Sequence, residues 1–257
     1  MARGFGVAGA LDHALIEDVA RATEAAGYRT FWANDTPGGE GLAALAAAAR
    51  VTTRILGVGV IPVDRTPADR IAARVRELDI PQDRLVLGIG AGAMQSGSVS
   101  RVEEAVLALK TLVSCPVIVG ALGPRMCALG GRVADGVLLN WLTPAQAAVA
   151  AESVRAAARE AGRPRPEVAA YVRVALPEAR AKLEAEAGRY ERFPSYAAHF
   201  ARMGVRAVET AVIGDPAAIQ HGLSAFDSVV DEVVVRAVVP EEHRESYLAL
   251  VEAARPQ

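Results

Sequence analysis

Trp32 and Asp35 are the first residues along the chain whose chemistry and position suggest a functional site. They lie in the segment Trp32-Ala33-Asn34-Asp35-Thr36, at the end of a short apolar run that is typical of a strand. A carboxylate at such a position could donate or accept a proton, and an indole could stack on a flat ligand. Aspartate is also a common turn residue, so Asp35 could instead cap the next helix or its loop.

A second candidate segment runs from Leu87 to Ala93 and carries glycine at alternate positions, Gly88, Gly90 and Gly92. Glycines in this pattern allow a ligand or a second backbone segment to approach closely. The segment lacks a complete dinucleotide-binding fingerprint, because the acidic residue expected about 20 positions further on is missing. We therefore expect either a ligand contact through Gly90 and Gly92 or a tight turn.

A third segment joins an apolar run to a helical one and consists of Gly120, Ala121, Leu122, Gly123, Pro124 and Arg125. Proline is typical of the first helical position, and the free backbone N–H groups of a helix start bind anions. Arg125 adds a guanidinium group that could pair with a phosphate. These residues predict a phosphate-binding loop, with an ordinary helix start as the alternative.

Asn140 and Trp141 follow the next apolar run, where they could line a flat heterocycle or simply pack at the edge of the fold. The four histidines lie in helical or loop stretches, so we expect them on the surface and not in catalysis. Neither a Ser-His-Asp arrangement nor a metal-ligand spacing occurs in the sequence, which predicts no metal site.

The spacing of the apolar runs predicts the elements that position these residues. Eight strand-like runs alternate with Ala-, Leu-, Glu- and Arg-rich helical stretches, at intervals of about 21 to 33 residues except before the last run. The runs are continuous and β-branched, which is typical of parallel strands buried on both faces. They predict an α/β fold, a closed (β/α)8 TIM barrel, with an open doubly wound sheet as the alternative. In such a barrel the site lies at the carboxyl ends of the strands.

The interval before the last strand is about twice as long as the others. It contains two extra helical stretches, 177–189 and 195–203, and a short strand at 208–213. We interpret it as a helical insertion between strands 7 and 8, near the mouth of the barrel. No linker or low-complexity tract divides the chain, so residues 1–257 are expected to form a single domain.

The composition argues against several classes of function. Lys and Arg number 28 against 30 Asp and Glu, so there is no basic excess to attract nucleic acid. Two cysteines cannot form a disulfide framework in a chain of 257 residues. The sequence lacks a signal-peptide pattern and an apolar run of membrane-spanning length. We expect a cytoplasmic protein with a small-molecule substrate and with neither a nucleic-acid nor a membrane partner.

Together the segments resemble the bacterial-luciferase-like family of flavin- and deazaflavin-dependent oxidoreductases. Residues 47–60 look like the family's third-strand signature. Residues 84–92 and 119–140 look like the branch that includes methylenetetrahydromethanopterin reductase. The most specific part is the block 119–140, which reads VGALGPRMCALGGRVADGVLLN. The resemblance covers nearly the whole chain in order.

The resemblance implies roles for individual residues. Asp35 occupies the position that lies beside the reactive edge of the deazaflavin ring in relatives, and 120–125 matches the segment that binds the cofactor phosphate. The sequence departs from the family at two positions. Thr36 stands where many members have His, and Ala91 stands where sugar-phosphate dehydrogenase relatives have an acidic Glu.

The resemblance also implies a non-proline cis peptide bond between Gly59 and Val60. In relatives this part of the backbone supports the central ring of the cofactor, so both residues are expected in the cofactor site. We expect the bond to face the mouth, within reach of Asp35 and Trp141.

The function implied by the resemblance is hydride transfer between coenzyme F420, a deazaflavin, and a small organic substrate. Two alternatives stay open: an FMN-dependent monooxygenase supplied by a separate flavin reductase, and a barrel that binds flavin without turnover. Family members pack as dimers, so a homodimer is expected, with the stretch Ala43–Ala49 as its candidate contact face.

Overall fold

The computed structural model describes residues 2–36, 38–94 and 96–257, and within them strands and helices alternate along the chain. The strands are β1 (Ala2–Ala8), β2 (Thr30–Asn34), β3 (Ile55–Pro62), β4 (Leu85–Gly90), β5 (Val117–Ala121), β6 (Gly136–Asn140), β7 (Glu167–Ala175), β8 (Val212–Ile213) and β9 (Glu232–Ala237). The helices are α1 (His13–Ala25), α2 (Gly41–Ala49), α3 (Ala68–Glu77), α4 (Ser98–Leu112), α5 (Pro124–Val133), α6 (Pro144–Glu160), α7 (Arg180–Tyr190), α8 (Pro194–Met203), α9 (Pro216–Ser224) and α10 (Arg244–Ala253).

Eight of the strands close into a barrel. Strands β1 to β7 pair in chain order, β7 pairs with β9, and β9 pairs with β1, always in parallel. The two-residue strand β8 pairs with the end of β7 and lies outside the ring. The predicted (β/α)8 barrel is therefore confirmed, and the open doubly wound sheet is excluded.

Local sequence signals account for the ends of α1. The carboxylate of Asp12 accepts the N–H groups of Ala14 and Leu15, which satisfies two donors of the first turn. After the last turn, Gly27 has a φ angle of 88°, a conformation that L side chains avoid. Asp12 and Gly27 are therefore local sequence signals for the two ends of the helix, since each acts within a few positions of it.

Side chains alternate between two apolar layers along each strand. In β9, Val233 and Val235 belong to the large core between the barrel and the helices. Val234 belongs to a smaller cluster inside the barrel. Its other buried members are Trp32, Ile118, Leu138, Ala169 and Tyr171. Because the alternation has a period of two, it identifies which residues at the strand ends face the mouth.

The insertion between β7 and β9 differs in part from the prediction. Helices α7 and α8 match the predicted helical stretches, but most of 208–213 is not a strand. A 3-10 turn covers Ala207–Thr210, and the strand is limited to Val212–Ile213. Helix α9 was not predicted, although Asp215 caps it and Pro216 is its first residue, which is a recognisable start signal. Among the described residues, no helix is both long and apolar enough to cross a membrane.

Candidate active site

Six inward-facing positions form the mouth at the carboxyl ends of the strands. Every second residue along a strand faces the inside of the barrel, so counting in twos from the interior cluster toward the carboxyl end of each strand identifies the inward-facing residue at that end. These residues are Asn34, Gly90, Gly120, Asn140, Arg173 and Arg236. The barrel therefore brings together one residue from each of the four segments singled out in the sequence, and it adds two arginines.

The carboxylate of Asp35 joins two loops beside β2. Oδ2 accepts the N–H of Gly41, the first residue of α2, at 3.1 Å, and Oδ1 accepts a hydrogen bond from Arg65 at 2.7 Å. The Asp35 side chain is 14% exposed, and burial raises the pKa of its carboxyl against the opposing effects of Gly41 and Arg65. Asp35 thus contacts the start of α2, as the capping alternative predicts, and it directly follows β2 at the carboxyl end of the barrel.

The two positions that depart from the family have structural roles nearby. Thr36 exchanges two backbone hydrogen bonds with Gly39, at 3.0 and 3.1 Å, and so shapes the loop that follows Asp35. Ala91 packs against the large core just after β4. Neither side chain places an acid or a base at the mouth.

The Gly59–Val60 peptide bond is cis, as the resemblance implied. The Val60 side chain lies over the neighbouring strands β4 and β5. A Cβ atom at Gly90 or at Gly120 would lie 2.7 or 2.9 Å from a Val60 methyl group, closer than a real contact allows. Glycine at both positions therefore makes room for Val60, and the three residues form an apolar floor on this side of the mouth.

Gly92 forms the tight turn that the sequence offered as one alternative. Its φ angle is 65°, and a Cβ atom there would overlap the carboxylate of Asp64. The same carboxylate accepts the N–H of Ala93 at 2.9 Å. Asp64 thus ties the loop after β4 to the loop after β3, which explains why glycine occupies this position.

The loop after β5 presents backbone to the mouth. The side chain of Ala121 is buried in the large core, so this residue can contact a ligand through its backbone alone. The carbonyl of Leu122 accepts a hydrogen bond from Arg202 of α8 at 2.9 Å. The insertion is therefore fastened to this loop, a contact that the sequence did not predict.

Helix α5 starts at the end of this loop without a capping side chain. Its first residue is Pro124, which has no N–H, and the carbonyl of Gly123 accepts the N–H groups of Met126 and Cys127 at 3.1 and 3.0 Å. The N–H of Arg125 is therefore the first-turn donor for which the described residues provide no partner. The Arg125 side chain is exposed at the same point, and a Cβ atom at Gly123 would lie 3.4 Å from the guanidinium of Arg202. This free N–H and the two guanidinium groups nearby are compatible with the predicted phosphate-binding loop, which stays a prediction.

Trp32 and Trp141 do not line the open mouth. Trp32 is 2% exposed inside the barrel, where its Nε1 donates to the Thr30 hydroxyl at 2.7 Å. Trp141 is 1% exposed, and its ring packs against Tyr190 and Phe200 of the insertion at centroid distances of 5.0 and 5.8 Å. Both indole rings are covered by protein in this structure, and stacking of either ring on a ligand stays a prediction. The packing alternative holds for Trp141, because the insertion covers it.

Asn140, in contrast, faces inward at the end of β6 as the strand alternation requires. Its side-chain oxygen accepts a hydrogen bond from Arg173 on the adjacent strand β7. The same arginine lies over the Trp141 ring, so Asn140 and Trp141 share Arg173 as a neighbour although the insertion covers the indole.

Sequence reasoning missed a buried charged cluster on the far side of the mouth. Arg173 contacts Glu186 of α7 at 3.1 Å, and Arg236 lies 3.9 Å from the same carboxylate. The guanidinium of Arg173 also lies 3.6 Å from the centroid of the Trp141 ring. The sequence signal for this cluster was an arginine at an inward-facing position of an apolar strand. A buried charge requires a partner of opposite charge, so such an arginine predicts an acidic residue nearby.

His199 is also an exception to the expectation that the histidines lie on the surface. It is 1% exposed on α8, and its Nε2 lies 2.8 Å from the carbonyl oxygen of Trp141. Its Nδ1 lies 2.8 Å from a nitrogen of Arg202. A neutral ring that carries its proton on Nε2 satisfies both contacts, and burial lowers the pKa of His199.

Comparisons with known proteins bear on these elements. The family model for luciferase-like monooxygenases matches residues 4–113 and 98–255. A 74-residue segment is 40% identical to the 5,10-methylenetetrahydromethanopterin reductase of Methanolobus tindarius. That match covers 28% of this chain and 23% of the length of the reductase.

Solved structures share the whole barrel. The coenzyme F420-dependent tetrahydromethanopterin reductase of Methanopyrus kandleri is 18% identical, with a TM-score of 0.78 over 98% of this chain and 97% of that one. The oxygenating constituent of 3,6-diketocamphane monooxygenase from Pseudomonas putida, in complex with FMN, is 14% identical. Its TM-score is 0.69 over 100% of this chain and 99% of that one. At these identities the likeness establishes the fold.

Proposed function

The chain belongs to the luciferase-like monooxygenase family, and on this basis we propose that it exchanges a hydride between coenzyme F420 and a small organic substrate. The segment similar to a methylenetetrahydromethanopterin reductase supports F420 as the cofactor.

The mouth is compatible with a flat heterocyclic ring. Val60 supplies an apolar floor over Gly90 and Gly120, against which a ring could lie. On the neighbouring strand, the buried side-chain oxygen of Asn34 has no hydrogen-bond partner among the residues that the structure describes. Buried acceptors are normally satisfied, so this oxygen suits an N–H group of a bound ring. These residues would hold the ring, and the uncapped start of α5 with Arg125 would hold the cofactor phosphate.

The observations that carry the proposal are this apolar floor and the half-buried acid Asp35, which directly follows Asn34 at the same end of the barrel. When bound, a deazaflavin supplies hydride exchange at one ring carbon. Because burial raises the pKa of the Asp35 carboxyl, its protonated form is more accessible near neutral pH than that of an exposed aspartate. Asp35 would then hold a proton at its Oδ1 atom for the substrate. Its present partner there is the half-exposed Arg65, and contacts of this kind are weak.

Binding of the two cofactors by the purified protein tests the proposal directly. We expect the fluorescence of F420 to be quenched with a micromolar dissociation constant, and FMN to bind at least tenfold more weakly, a difference of about 1.4 kcal/mol. Tight binding of FMN alone would replace the proposal with the flavin alternative. Binding of neither cofactor would refute both and favour a barrel without turnover.

The description of the family as monooxygenases is the observation that favours the second candidate, an FMN-dependent monooxygenase. In that case a separate flavin reductase would supply reduced FMN, and consumption of O2 would depend on adding such a reductase. Hydride transfer from reduced F420 in the absence of O2 would exclude this second function.

A further inference from the structure

Two arginines at the mouth depend on a single carboxylate. Arg173 is 4% exposed, and the side chain of Arg236 is 12% exposed. The salt bridges found among the described residues give both arginines the same acidic partner, Glu186, at 3.1 and 3.9 Å. Buried charges are normally paired, so two guanidinium groups with one carboxylate leave one positive charge unbalanced.

A buried hydroxyl group without a partner lies beside these arginines. The hydroxyl of Tyr171 forms no hydrogen bond within the described protein, although the residue is 4% exposed. The Tyr171 hydroxyl lies against β1, because a Cβ atom added at Gly6 would lie 2.7 Å from the hydroxyl oxygen. Gly6 is in register with Arg236 on the adjacent strand. Leaving a buried donor unsatisfied costs about 1–3 kcal/mol, so the arrangement indicates a missing partner.

We propose that Arg236 and the Tyr171 hydroxyl bind a carboxylate group of the substrate, with Arg173 contributing charge from behind. The inference rests on the proposed function, since it takes this mouth as the active site. A monocarboxylate matches the cluster in two respects. Its single negative charge balances the unpaired positive charge, and its planar oxygens fit the fork of a guanidinium group.

The carboxylate subsite is separate from the predicted phosphate loop. Arg236 and Tyr171 lie on β9 and β7, whereas the loop with Gly123 follows β5, and β6 lies between β5 and β7 in the barrel. A substrate held by its carboxylate on the β7–β9 side would extend its reacting carbon toward the middle of the mouth. With a carboxylate subsite, the proposed hydride exchange is the oxidation or reduction of a small organic acid.

Titration of the cofactor-free protein with acetate tests the subsite. The chain has two tryptophans, and Trp141 packs on Arg173, so its fluorescence reports binding to this cluster. At constant ionic strength we expect acetate to bind with a millimolar dissociation constant and the neutral isostere acetamide to have no effect. A matching response to acetamide would overturn the proposal.

Variants assign the binding to the named residues. Arg236→Gln should weaken acetate binding at least tenfold, whereas Arg180→Gln, the same change at an exposed site on α7, should alter it less than twofold. Tyr171→Phe should weaken it about threefold without lowering Tm, because it removes an unsatisfied hydroxyl. This variant keeps the test decisive if Arg236→Gln does not fold. Unchanged binding in Tyr171→Phe would overturn the proposal.

A second titration identifies the source of the carboxylate, since the cofactor also carries anionic groups. The affinity for F420 or FMN is measured with and without saturating acetate. Less than a twofold change supports a substrate carboxylate, whereas competition would show that the cofactor occupies the subsite and would overturn our assignment. The acetate titration itself needs no cofactor, so a failure of the proposed function would be seen separately.

Discussion

Replacing Glu232 with Gln should stabilise the protein above pH 7 and have little effect in acid. Glu232 is 2% exposed at the start of β9, at the amino end of the barrel and away from the mouth. One of its oxygens accepts the hydroxyl of Thr30 at 2.9 Å, and the side chain borders a cavity of about 60 Å³. Burial is the main cause that raises the pKa of Glu232 from 4.5 to about 7, against the lowering effect of Arg29.

The magnitude follows from this difference in pKa. Below pH 4.5 the carboxyl is protonated in the folded and the unfolded state, so it contributes nothing to the pH dependence. Between pH 4.5 and 7 the unfolded chain ionises first, so the free energy of unfolding falls as the pH rises. Above pH 7 the full penalty is present, about 3 kcal/mol at about 1.4 kcal/mol per pKa unit.

Unfolding curves at pH 5 and pH 8.5 measure the effect. Gln keeps an oxygen for the Thr30 hydroxyl but does not ionise, so Glu232→Gln should gain about 2–3 kcal/mol at the higher pH relative to the lower. At about 2–4 °C per kcal/mol, this corresponds to roughly 4–12 °C in Tm. Glu160→Gln, the same change at an exposed residue at the end of α6, is the matched control. Parallel pH profiles for the wild type and Glu232→Gln would refute the reasoning.

Three further predictions test the mouth and the assembly. Gly123 has an extended backbone that accepts other residues, so Gly123→Asp should place a carboxylate at the predicted phosphate position and weaken F420 binding at least tenfold by fluorescence titration. Gly123→Ser, which caps the helix without charge, should stay within threefold, and equal losses in both variants would contradict the assignment. Gly120→Ala should cost about 1–3 kcal/mol in chemical denaturation, because the added methyl meets Val60 at 2.9 Å. Part of that cost should be recovered when Val60→Ala is combined with it, and strictly additive effects would argue against the contact. We also propose a homodimer that forms through the face of α2 around the half-buried Ala46. Light scattering should show a dimer, and Ala46→Glu should dissociate it without changing the circular dichroism spectrum. A monomeric wild type would exclude the proposal.

Residues close together in sequence determined much of the fold. The βα spacing identified the eight barrel strands, and caps such as Asp12 and Gly27 marked helix ends, because these signals depend on a few neighbouring residues. The family resemblance identified the Gly59–Val60 cis bond. Helix α9 was missed although its start signal was present, because it is short and follows an irregular insertion.

Contacts between distant residues decided the site. The sequence placed Asn140 and Trp141 together at a strand exit, but strand alternation turns Asn140 inward while the insertion buries Trp141. Only the closed barrel brings Arg173, Arg236 and Glu186 from three separate elements into one cluster. Residue types and local spacing specify the strands and turns. The inward or outward orientation of each side chain, and hence its charge partners and exposure, depends on strand register and on which helices cover the mouth.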